Sequence, residues 1–433
     1  MAEVAATALA AEEAVTWSAQ AGIAAYMVAQ PTMPLKATFA QIATSSNDST
    51  GLSLTRSEHS VSVVGNKAYV FGGETASGKL ASADIHAVTL ASRDKPEPDY
   101  SVVPAISDTE GGAVPRARKR HAACSFNVCV AVFGGLDESE NIIDDGTLWL
   151  FNTAKSTWEA LKPSNPAEAP QARSGACLFS VLNNLVLYGG TGSRGEALKD
   201  VWHFDYTQML WTRLPDAPVS TTSAALTNGI LHIVSSTSNV SSNLYLLPLS
   251  GTQEKLTWHT VPFPTNPLTP GPRPRTGAGL LPIHTGYGRT FLLYFFGARQ
   301  IVNGEPSDAS APSPPTDVAD SQPQYWSDIW TYQLPSVSAE PKTTAGSIVE
   351  AVRPANIKDK IRNALGLDSG GHSWAEVEVA PPTDMDALSG KVHPGPRGFF
   401  ACDVMEDGKS VFMWGGVNAK GEREGDGWIV QLA

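Results

Sequence analysis

Arginine opens five stretches of similar sequence, at positions 56, 118, 173, 275 and 397, and Ser220 opens a sixth. A guanidinium presents a planar fork of N–H donors that can grip carboxylate or phosphate oxygens two at a time. Were Arg56, Arg118, Arg173, Ser220, Arg275 and Arg397 to converge on one axis, joined by Arg299 just after Gly297–Ala298, they would form a cationic mouth. In a chain of formal net charge −12 such a cluster is a marker of an anion site. His59 and His121 lie three residues after Arg56 and Arg118 and are secondary candidates, as a general-base pair or as metal ligands. The other stretches carry Ala176, Ser223, Ala278 and Phe400 there, so no ring of ligands can form and the spacing reads as strand packing. No metal and no cofactor is expected.

The elements that must hold these residues are written in the same repeats. An apolar run closes on a diglycine at Gly73, Gly135, Gly190 and Gly416, and a strand such as DVWHFD follows, then a short strand carrying Trp. A self-similar unit of about 50 residues with this content is one four-stranded blade of a β-propeller. Six units can be traced. The fourth is degenerate, with Ser235–Ser236 in place of the diglycine, and the fifth has Gly297–Ala298 there. The sixth ends at DGWIVQL without an outer strand. KATFAQIA, residues 36–43, can supply that strand, with Phe39 in the position of the usual Trp, and so close the ring without an open edge.

The order Arg-x-x-His/Ala, small–apolar strand, Gly-Gly, Asp-x-Trp and a final Trp resembles kelch repeats over residues 36–433, apart from two insertions. The resemblance implies an all-β, six-bladed kelch-type propeller. It also implies a mouth like that of kelch adaptors, whose arginines and serines at these positions hold an acidic peptide.

The expected organisation is an N-terminal helical segment at 1–34 and a propeller at 35–433, with 35–44 as the closing strand. A flexible loop at 299–324 and a helical insertion in blade 5 at 336–372 interrupt it. Strand connectivity places the loop, with the arginines, on one face, here called upper. Both helical segments fall on the lower face, where they are expected to pack together.

Composition sets outer bounds. The hydrophobic fraction is 42 % and the charged fraction 17 %, with 38 Gly and 31 Pro, the profile of a turn-rich β protein. The acidic balance disfavours nucleic acid and anionic membranes as partners. Cys124, Cys129, Cys177 and Cys402 have no zinc-ligand spacing and no disulfide-framework density. The N-terminus lacks the basic start of a secretory signal, and a cytoplasmic location is expected. Gly190-Thr-Gly192-Ser-Arg-Gly195 matches a dinucleotide fingerprint in spelling, but a strand follows it rather than a helix.

Two function classes remain. One is a binding module that takes an acidic protein partner or anionic small molecule in the arginine-rich pocket. The other is a cofactor-independent small-molecule enzyme of isomerase, cyclase or hydrolase type. Under the first reading, alanine at both Arg173 and Arg275 is expected to abolish anion binding and leave the ring folded.

Overall fold

Six sheets follow one another around an axis in the computed structural model, which describes residues 34–44, 54–75, 78–90, 100–143, 146–235, 243–250, 256–262, 271–285, 289–299, 325–335, 371–380 and 391–432. Blade 1 runs through Ser60–Val64, Lys67–Phe71, Ile85–Thr89 and Tyr100–Val103. Blade 2 uses Ala122–Phe126, Cys129–Phe133, Leu148–Asn152 and Thr157–Leu161. Blades 3, 4 and 5 begin at Cys177–Val181, Ala224–Thr227 and Gly279–Thr285, and each has four antiparallel strands. The architecture is all-β, as the repeats require. The helical segments expected within 1–34 and 336–372 lie outside the described residues, apart from the ends of those ranges, and so does the loop beyond Arg299.

Blade 6 closes the ring as its missing outer strand demands. Ala401–Val404, Ser410–Trp414 and Asp426–Leu432 supply three strands, and Lys36–Thr44 adds the fourth, with Ala37 opposite Leu432 and Phe39 opposite Val430. Phe39 meets Trp428 edge-on at 6.4 Å between ring centroids and stacks on Phe296 of blade 5 at 6.3 Å. The closing strand also pairs in parallel with Glu378–Val379 at the end of blade 5.

Packing is divided by interface. Six apolar clusters are present, one between each pair of adjacent blades. Tyr69 and Phe71 of blade 1, for example, meet Val130, Phe151 and Trp158 of blade 2. The outer-strand tryptophans Trp158 and Trp211 are buried wedges in these clusters, and aromatics of this size dominate burial energetics.

Two sets of backbone hydrogen bonds run around the upper mouth. The second glycine of the diglycine, or in blade 5 Gly297 after Phe296, donates its N–H to the carbonyl of the next blade's arginine: Gly73 to Arg118, Gly135 to Arg173, Gly297 to Arg397 and Gly416 to Arg56, at 2.8–2.9 Å. Two residues beyond each arginine the chain turns through a left-handed conformation, at Glu58, Arg120, Gly175, Gly277 and Phe399. These turns are linked to one another, Glu58 N–H to Phe399, Arg120 to Glu58, Gly175 to Arg120 and Phe399 to Gly277. A side chain at Gly72 would meet the Arg118 carbonyl at 2.4 Å and the His121 ring at 2.9 Å, so the close approach of the neighbouring blade excludes any other residue there.

Both sets break at blade 4. Among the described residues no such bond joins Gly190 to Ser220, and none links Thr222 to Gly175 or Gly277. Tyrosines substitute. The Tyr188 hydroxyl donates to Val219 C=O at 2.7 Å and accepts from Thr221 N–H at 3.2 Å, and Tyr294 Oη pairs with Ser223 Oγ at 3.0 Å. Tyr188→Phe removes two partners at once and is expected to cost about 1–3 kcal/mol. Hydrogen exchange is the check, and amides of blade 4 are expected to lose protection before those of blades 1 and 6; a uniform change around the ring would contradict this.

Candidate functional site

The five arginines occupy equivalent places, but they do not line an open mouth. Arg56, Arg118, Arg173, Arg275 and Arg397 are each no more than 2 % exposed. In every case the guanidinium turns into its own blade and donates to a carbonyl where the second strand ends: Gly72, Gly134, Gly189, Phe296 and Gly415, at 2.9–3.1 Å. Three also grip a carboxylate with both terminal nitrogens. Arg173 binds Asp200 at 2.6 and 2.9 Å, Arg275 binds Asp328 at 2.7 and 2.9 Å, and Arg397 binds Asp426 at 2.6 and 3.2 Å. The Asp-x-Trp motif thereby acquires a physical meaning in blades 3 and 5. Its aspartate holds the arginine, and the indole N–H of Trp202 or Trp330 donates back to that same aspartate at 2.6 or 2.7 Å. Burial pushes these three carboxyls up, but the arginine beside each outweighs it and holds them below the ordinary range. Blade 1 uses His86 instead, whose Nε2 lies 3.2 Å from Arg56. Burial lowers the Arg56 guanidinium to about 10.

The expected cationic ring is therefore corrected in its role. A buried guanidinium surrounded by carbonyls and a carboxylate is a staple of the blade, because leaving its donors unmet in the interior costs far more than meeting them. Of the seven candidates, Ser220 and Arg299 alone reach solvent appreciably, Ser220 half-buried and Arg299 exposed across from Arg275 in the strand pair.

The histidines are packing residues. His121 is buried, contacts Phe71 edge-on at 5.1 Å, and pairs through Nε2 with Ser60 Oγ at 2.8 Å. Burial, with Arg118 nearby, lowers it to about 3. His59 is buried beside the diglycines of blades 1 and 6, and burial, with Arg56 and His121, holds it well below the usual imidazole range. Two rings buried in this way are out of reach of a substrate proton. All four cysteines are free thiols. Among the described residues no group of three or more His, Cys, Asp or Glu side chains is placed to share a metal ion, and no helix is long and apolar enough to cross a membrane.

What opens at the mouth is a cleft of about 150 Å³ beside blade 4. It is lined by Arg120, Gly175, Gly190, Thr191, Ser220, Thr221, Thr222 and Thr276. It lies beside the one blade that opens with a serine, Ser220, where the other five open with a buried arginine. Arg120 and the threonines were not among the residues singled out from sequence. The one signal that could have found them is the departure of blade 4 from the repeat.

Charge on the upper face is divided. Around blades 6, 1 and 2 the acids are consumed in ion pairs: Lys119 with Glu74 at 2.9 Å and with Glu140, Arg423 with Glu74, and Lys391 with Glu424 at 3.1 Å. Glu140 lies in the loop that follows Gly135 in blade 2 and neutralises a lysine. Exposed arginines stand on the other half, around the cleft, whereas the exposed cations of blades 1 and 6 are lysines such as Lys79 and Lys420. The arginines are Arg120, Arg194, Arg273 over the Trp326 ring at 5.2 Å, and Arg299.

This combination of six radial sheets, diglycine turns and arginine staples defines a propeller of the kelch type. A model of the KLHDC2/KLHL20/DRC7 kelch-repeats domain matches residues 58–284, and the chain belongs to that family. Among curated proteins it is similar to Adagio-like protein 3 of Oryza sativa subsp. japonica, 29 % identical over 246 residues that make up 54 % of this chain and 36 % of that protein. It is also similar to Kelch domain-containing protein 3 of Homo sapiens, 28 % identical over 143 residues, 33 % of this chain and 35 % of that protein. The chain thus spans about a third of the length of these relatives. The solved structure of YjhT superposes with a TM-score of 0.53 over 88 % of this chain and 97 % of that one, at 11 % identity, a likeness of fold alone. The kelch propeller supports a protein-binding module.

Proposed function

We propose that the chain is a cytoplasmic binding module that takes an acidic protein partner on the cationic half of its upper mouth. One observation carries this reading. Glu74, Glu140 and Glu424 are spent on Lys119, Arg423 and Lys391 around blades 6, 1 and 2, while Arg120, Arg194, Arg273 and Arg299 stand exposed at blades 2, 3 and 5, Arg120 and Arg194 with carboxylates no nearer than 3.8 and 3.9 Å. A local cationic surface on a chain of net charge −12 steers an acidic segment to one place and turns it away elsewhere. The arginines first expected to bind the partner directly serve it indirectly, by fixing the turns from which the exposed cations project. The small-molecule-enzyme alternative is not favoured, because neither candidate histidine is accessible for proton transfer and the cleft is below the roughly 300 Å³ of a typical substrate pocket.

The test is fluorescence anisotropy with labelled peptides of equal length that are acidic, neutral or basic. The acidic peptide is expected to bind with an affinity that falls steeply between low and physiological salt. Arg194→Glu with Arg299→Glu should weaken it at least tenfold. Equal binding of acidic and neutral peptides at low salt would refute the proposal.

A further inference from the structure

The geometry points to the cleft beside blade 4 as the seat of a single tetrahedral oxyanion, a phosphate or sulfonate group. This deepens the reading of an acidic partner by naming the group that the mouth holds, and it can fail while that reading stands.

The chemistry follows from what lines the space. Four hydroxyl side chains, Thr191, Ser220, Thr222 and Thr276, border the cleft, and none has a hydrogen-bond partner among the described residues. Gly175 and Gly190 contribute walls without side chains, which lets an oxygen approach the backbone closely. No large apolar side chain takes part, so nothing in the lining recognises a hydrocarbon. The single charge on the wall is the Arg120 guanidinium, whose side chain is 43 % exposed and reaches over Gly175. Glu58 stands 3.8 Å from Arg120 Nε and is its only ion-pair partner among the described residues.

Shape and size narrow the class. A hydroxyl both donates and accepts, so a set of them can serve many polar ligands. One arginine added to them biases the site toward an acceptor-rich anion. The hydroxyls come from three blades, with the arginine from a fourth, and so approach from several directions rather than in one plane. That arrangement suits the four oxygens of a phosphate or the three of a sulfonate better than a flat carboxylate. A volume near 150 Å³ holds such a group with its nearest water and excludes a drug-sized molecule. The cleft lies beside the one blade that opens with Ser220 rather than a buried arginine, a place where an exogenous ligand can enter.

The experiment uses the full chain and follows the backbone amides of Gly175, Gly190 and Thr222 by NMR during titration at constant ionic strength. Inorganic phosphate and methanesulfonate are expected to give saturable shifts in the millimolar range, with acetate at least tenfold weaker. Arg120→Ala, an exposed position, should weaken phosphate at least tenfold. Glu58→Gln should strengthen it several-fold by releasing Arg120. Ser220→Arg should abolish it by filling the cleft. A serine-phosphorylated hexapeptide that binds tighter than phosphate would assign the group to a protein partner, and one that binds equally or more weakly would assign it to a free small ligand; both support the site. Absence of saturable shifts with phosphate, equal shifts with acetate, or undiminished phosphate binding in Ser220→Arg would overturn it.

Discussion

Alanine in place of Asp426 is expected to destabilise the propeller by about 3–5 kcal/mol, the usual cost of stranding one member of a buried ion pair. Arg397 is buried and Asp426 side-chain exposure is 3 %, so neither charge can recover its lost partner from water. Asp200→Ala and Asp328→Ala should cost less, because those carboxylates are 13 % and 25 % exposed. The sign with pH follows from the depressed carboxyl. A group held below its ordinary pKa adds stability that is complete above about pH 4 and is lost as pH falls through the folded value. Asp426→Ala should therefore flatten the acid limb of the stability profile as well as lower its plateau. Replacing both partners by apolar residues, Arg397→Met with Asp426→Leu, should recover most of the loss. Urea denaturation at pH 7 and at about pH 2 decides the matter, and a loss under about 1 kcal/mol for Asp426→Ala at pH 7 would show that the pair is dispensable. The same reasoning reverses the expectation for Arg173 and Arg275. Their joint removal is expected to unfold the ring rather than silence a site.

Deletion of residues 1–44 is expected to leave no stable folded monomer, whereas deletion of 1–33 leaves the closing strand in place and should preserve the ring. The strand carries Leu35, Ala37 and Phe39 into the interface of blades 5 and 6. Burying Leu35 fully and Phe39 in part is worth about 2–5 kcal/mol, a large share of the margin of a typical domain. Its loss also opens Asp426–Leu432 on one side and frees Glu378–Val379 on the other. Both deletions can be followed by thermal unfolding and size-exclusion chromatography. A monomeric, cooperatively melting 45–433 fragment would contradict this account of closure.

Much of this arrangement could be read from the chain. The diglycines mark the turns because only glycine tolerates the close approach of the next blade, and the strand that completes blade 6 was visible as an unpartnered segment with Phe39 in register. The degenerate fourth unit was visible too, but its consequence was not. Blade 4 is tied to its two neighbours by Tyr188 and Tyr294, 31 and 71 residues from the groups they bond, and nothing in the repeat marks those tyrosines for the task. The direction of the arginines was illegible for a related reason. Position places them near the axis, but their aspartate partners arrive 27, 53 and 29 residues later, across loops of unequal length. Arg120 could not be found by periodicity, because the residues at its turn are Glu58, Arg120, Gly175, Gly277 and Phe399, which share a left-handed backbone and no side-chain type, and Thr222 at the same place in blade 4 lacks even that.

The pairing of Ala37 with Leu432 has a consequence for how the chain is made. The strand synthesised first among those described is the one whose partner emerges last. At about 5–20 residues per second, Lys36–Thr44 waits roughly 20–80 s on the ribosome before Asp426–Leu432 exists to receive it. Each earlier blade can fold from local hairpins as it emerges, but the ring stays open through that interval, with blade 5 and blade 1 both lacking a neighbour. Entropy is a minor obstacle to the final join, since closing a long loop costs only logarithmically more than closing a short one. Timing is the larger one. Protection of nine waiting residues from other strands, rather than their eventual affinity, then governs how much of the newly made chain closes correctly.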